Sequence, residues 1–106
     1  MTIESIMNYL LENRAKNLPS IALAGAFDQL VWCLNDNGKA LLEIRDKWLN
    51  SDDYDKVDIA LNMKETFPYH SQEERIKNFE RIKARWPSLS EQCEKILQEW
   101  DSQFNK

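Results

Sequence analysis

Apolar residues recur along this chain at intervals of three and four. Ile3, Ile6, Met7, Leu10 and Leu11 open the pattern, the repeat of a helix with one buried face, and Thr2 stands where its cap belongs. Asn17, Leu18 and Pro19 interrupt it. From Pro19 or Ser20 to Leu34 nearly every position is apolar, including Ile21, Leu23, Phe27, Leu30, Val31 and Trp32. A helix apolar around most of its circumference belongs in the middle of a bundle. Asn37 and Gly38 then supply the left-handed backbone that ends such a helix.

A third helix is expected over about Lys39 to Leu49, burying Leu41, Ile44, Trp48 and Leu42. A fourth opens at Ser51 or Asp52, turns Tyr54, Val57, Ala60 and Leu61 inward, and ends no later than Phe67, because Pro68 pushes the residue before it out of helical geometry. Ser71 and Glu74 form a capping box for a fifth, with Ile76, Phe79, Ile82 or the stem of Lys83, and Trp86 inward. Ser88 and Glu91 repeat the box for a sixth, striped by Leu89, Cys93, Ile96, Leu97, Trp100 and Phe104. The expected fold is all-α: a compact single domain over residues 1–106, built of about six helices arranged as antiparallel hairpins.

Composition sharpens this picture. With 2 glycines and 3 prolines in 106 residues, the chain lacks the frequent turns of a sheet fold. Its 4 tryptophans fall on inward stripes and read as core or core rim. Trp48 or Trp86 is the one to expect at a partner interface, where tryptophan is enriched. The net charge of −4 weighs against nucleic-acid or anionic-membrane binding and favours a basic protein partner. The first 18 residues carry acids and asparagines unlike a secretory signal, and no run reaches the ~20 apolar residues of a membrane span, so a cytoplasmic location is expected. Cys33 and Cys93 sit singly in apolar stripes, as reduced thiols do.

The densest chemistry lies at residues 51–58, SDDYDKVD. Asp52, Asp53 and Asp55 at a helix start meet free amides and the positive end of the helix dipole, each gaining ~0.3–1 kcal/mol. A calcium loop is excluded by spacing: no glycine occupies the sixth position from any of these aspartates, and Lys64 stands twelfth from Asp53 where a bidentate glutamate is required. A third reading sets Asp52, Asp55, Asp58 and Glu65 along the solvent face of helix four as a column of carboxylates ~20 Å long. Such a column suits the lysines and arginines of a basic partner.

Elsewhere the chain offers no catalytic, cofactor or metal signature. His70 is the only histidine, and with two cysteines inside helices it cannot assemble an ordinary zinc site. No P-loop, nucleophile elbow or HExxH is present. Helix five carries Arg75, Lys77, Arg81, Lys83 and Arg85 interleaved with Glu73, Glu74 and Glu80, the one basic surface.

In size, charge and general character the whole chain resembles the small acidic immunity proteins that bacteria keep in the cytoplasm against toxic nucleases, such as those of contact-dependent growth-inhibition systems. The resemblance implies a non-enzymatic inhibitor that binds and neutralises a basic toxin domain, either in its active site or at another surface. A nuclease needs positive charge to hold phosphates, and an inhibitor bearing carboxylates competes for the same groups. Asp52, Asp53, Asp55 and Asp58 would be the anchors, with Glu65 extending the row and Tyr54 or Trp48 as aromatic neighbours. The alternative is a small helical regulator or adaptor of a mobile element, binding nucleic acid through helix 71–86 with Arg81 and Arg85. Steep salt dependence would mark that mode.

Overall fold

A computed structural model describes residues 2–64, 68, 69 and 71–104. Among the described residues there are six α-helices, one short 3-10 turn and no strand, so the chain is all-helical as expected. The helices are α1 (Ile3–Glu12), α2 (Ser20–Cys33), α3 (Lys39–Leu49), α4 (Tyr54–Asn62), α5 (Gln72–Arg85) and α6 (Ser90–Phe104). They fall into two compact units, Met1–Glu65 and Thr66–Lys106. No helix of the described residues is long and apolar enough to cross a membrane.

In the first unit α4 lies against both α2 and α3, and α1 against α3. Thr2 caps α1 in a reciprocal box with Ser5, each side chain serving the other's backbone amide. At the centre, Trp48 of α3 is 1% exposed and meets Phe27 of α2 edge to face, ring centroids 5.8 Å apart. Such a pair contributes ~0.5–1.5 kcal/mol beyond the area it buries. Met7, Leu41, Val57 and Leu61 are also buried in this unit.

The structure corrects the reading of α2. It is not buried all round: Leu23, Ala24, Phe27 and Val31 are buried, while Ile21, Trp32 and Cys33 face solvent. Uniform apolarity hid which face packs. Asn37 and Gly38 are left-handed, with φ of 60° and 77°, but they follow a turn after Cys33 and launch α3. Asp36 fastens that turn, its carboxylate accepting from the amides of Gly38 at 2.9 Å and Ala40 at 3.1 Å.

In the second unit Ser71 caps α5, its hydroxyl accepting from the Glu74 amide at 3.1 Å. α5 and α6 pack as a hairpin across the 3-10 turn Pro87–Leu89. That turn displaces the start of α6 to Ser90, two residues beyond the cap expected at Ser88. Phe79, Ile82, Cys93 and Ile96 are buried, but Ile76 and Phe104 are exposed and Trp100 only partly covered. Arg75 takes the inward place instead. Its guanidinium lies 5.3 Å from the centre of the Trp100 ring, a cation–π contact that lets a long stem cover apolar surface.

Candidate functional site

The turn at residues 50–53 and the first turn of α4 place the aspartates. Asp53, not Ser51 or Asp52, is the cap residue: its carboxylate accepts from the amides of Asp55 at 3.0 Å and Lys56 at 3.3 Å. The Ser51 hydroxyl accepts from the Asp53 amide at 3.3 Å and steadies the turn. Asp55 lies in the first turn, where the helix dipole favours an acid, and accepts from Arg14 with Nη2 at 3.2 Å. The same guanidinium donates through Nη1 to the main-chain oxygen of Leu11 at 2.6 Å. Arg14 thereby joins the end of α1 to the start of α4.

Between those two helix ends an open cleft of about 450 Å³ is lined by Asn8, Glu12, Arg14 and Lys16 on one side and Asp53, Asp55 and Lys56 on the other. Glu12, Asp53 and Asp55 line it together with Arg14, Lys16 and Lys56. Lys56 leans back over the buried indole of Trp48, its ammonium 5.7 Å from the ring centre. Asp52, Asp53 and Asp55 are exposed at the helix entrance.

The carboxylate column is not what forms. α4 runs nine residues, about 13 Å at 1.5 Å per residue, and Asp52 precedes it. Asp58 turns toward α2, accepting from the Ser20 hydroxyl at 2.5 Å and from the Asn62 amide at 3.2 Å. Its carboxylate belongs to the α2–α4 seam. Glu65 lies outside the described residues, as does His70. Tyr54, expected inward, is 41% exposed at the mouth of α4, where it can touch a partner. Trp48, proposed as an aromatic neighbour of the acids, is buried and presents no surface to a partner.

Sequence reasoning missed the cationic half of this site. Arg14 and Lys16 stand some forty residues before the aspartates, and only the packing of α1 brings them near. It also missed Asp28, whose carboxylate accepts from the Lys64 amide at 2.9 Å just beyond α4.

The basic helix is likewise altered by packing. Arg75 is buried, and Lys83 is paired with Glu94 of α6, so the five cations do not form one surface. The Arg85 guanidinium lies over the Trp86 ring at 5.1 Å. Among the described residues, no group of three or more His, Cys, Asp or Glu side chains is placed to hold a metal ion. Both cysteines are free thiols, Cys33 exposed and Cys93 buried. Burial pushes the Cys93 thiol up to about 11, with Glu94 adding to the shift and Lys83 opposing it. A thiol so protonated is a packed apolar group rather than a nucleophile.

No family model, curated protein or solved structure matches this chain, so its function is argued from its own residues.

Proposed function

We propose that this protein acts by binding another protein with a basic surface, and that the entrance of α4 is its contact. One observation carries the reading: Asp52, Asp53 and Asp55 are exposed together at one helix end, beside a charged open cleft and the exposed ring of Tyr54. Carboxylates so grouped raise the encounter rate with a cationic partner and disfavour acidic ones. Tyr54 supplies the flat, half-apolar contact that interfaces favour. The site is narrower than a ridge, because Asp58 is engaged within the fold. The contacting set is therefore Asp52, Asp53, Asp55 and Tyr54.

The specific form of this activity is neutralisation of a basic toxin domain, a nuclease being the chemistry most in need of a cationic surface. Support for it is the acidic balance of 18 acids against 14 bases together with this exposed cluster. The test is to recover the partner from the source cells with tagged protein and to assay its nuclease activity with and without the purified chain. A basic partner whose activity falls stoichiometrically, with the protection weakened in Asp52→Asn/Asp55→Asn, is the expected result. An acidic partner, or inhibition untouched by the double substitution, contradicts the reading.

A further inference from the structure

α2 presents to solvent a face without charge. At 3.6 residues per turn its exposed positions Ile21, Ala22, Gly25, Ala26, Gln29, Trp32 and Cys33 gather within an arc of about 140°, opposite the buried Leu23, Phe27 and Val31. Trp32 is 75% exposed and Ile21 54%. Large exposed apolar patches on soluble chains mark interaction sites.

Gly25 adds an independent observation. A glycine in mid-helix weakens the helix relative to alanine, and here nothing in the chain requires it: an added Cβ would meet no atom within 4 Å. Glycine at an exposed helical position allows a second backbone to approach closely.

We propose that this face joins two copies of the chain, with their α2 helices antiparallel about a twofold axis at the level of Phe27, midway between Ala22 and Trp32. That symmetry sets the bulky Trp32 of one copy into the notch over Ala22 and Gly25 of the other, beside Ile21, and repeats the contact in reverse. One surface thus supplies both the knob and the hole, as an isologous contact requires, and the pairing closes on itself without growing into a filament. No Asp, Glu, Lys or Arg lies in the arc, so the face offers nothing to a charged partner, and the acidic entrance of α4 serves a different contact.

Area sets the strength. The exposed surface of these residues is on the order of 500 Å² per copy, counting a mostly exposed indole among them, or about 1,000 Å² for the pair, the lower limit for a specific interface. An interface of that size is at the small end of specific contacts, so the association is expected to depend on concentration.

Sedimentation equilibrium of the full chain, from low micromolar to several hundred micromolar, tests this. The wild type shifts from monomer to dimer mass across that range. Trp32→Glu and Gly25→Gln remain monomers throughout, and Gly25→Gln keeps the helical circular dichroism and melts no lower than dilute wild type, since the new side chain has open space and glutamine favours the helix. A wild type that stays monomeric at the highest concentration overturns the proposal and leaves the face to another protein. So does a dimer that survives both substitutions.

Discussion

Arg14 at the end of α1 holds Asp55 in the first turn of α4, Nη2 to Oδ2, at 3.2 Å. The fold thus supplies its own cation to the anionic site proposed for a partner's cation. Removing the internal competitor by Arg14→Ala should cost under about 1 kcal/mol in a urea titration, because the pair is partly exposed. The same variant should associate faster with a basic partner at low salt. A loss of several kcal/mol would assign Arg14 to stability alone.

Asp58 should behave differently from its neighbours. Its carboxylate accepts from Ser20 across the α2–α4 seam, so Asp58→Ala should destabilise by about 1–3 kcal/mol while leaving partner association unchanged. A double-mutant cycle with Ser20→Ala should show coupling of at least about 0.5 kcal/mol. Independent, additive losses would mean that the contact carries nothing.

Gly38 is fixed by both backbone and space. Its φ is 77°, and a Cβ added there would lie 2.6 Å from Cγ1 of Val31. Gly38→Ala should destabilise by about 1–3 kcal/mol, in contrast to Gly25→Ala, which should stabilise by roughly 0.5–1 kcal/mol because it removes backbone entropy from the unfolded chain. Thermal melts of the two variants, moving in opposite directions, check the assignment.

Cys33 and Cys93 should react apart, the first being exposed and the second buried. A thiol reagent at neutral pH should modify Cys33 quickly and Cys93 only on unfolding. The Cys93 thiol in the fold is raised from 9.0 to about 11. The unfolded chain therefore loses this proton first as pH rises. The stabilisation is complete below about pH 9 and is lost as pH climbs toward 11. Urea titrations at about pH 8 and pH 10.5 should show a drop in the wild type that is smaller in Cys93→Ala. An equal drop in both would remove Cys93 from the account.

The helices were legible because their signals are local. Thr2, Pro19, Gly38, Ser71 and Pro87 punctuate the chain, and between them the apolar spacing repeats at three and four. What failed was the direction of faces. In α2 apolar residues surround the helix, so periodicity cannot distinguish Phe27, which is buried, from Trp32, which is not. In α5 an arginine does the work assigned to Ile76, because Arg75 can lay its stem over Trp100. The site was half legible: the aspartates and the helix start are written in SDDYDKVD, but Arg14 and Ser20, which engage two of them, come from distant segments. Long-range ion pairs leave no spacing to read.

The central claim, that carboxylates at the entrance of α4 recruit a cationic protein, is tested most directly by stopped-flow association with the isolated partner as salt is raised. Wild type should associate fast at low ionic strength and slow steeply with added salt. Asp52→Asn/Asp55→Asn should start about tenfold slower and show a shallower salt slope. Equal rates and equal slopes for the two proteins would contradict it.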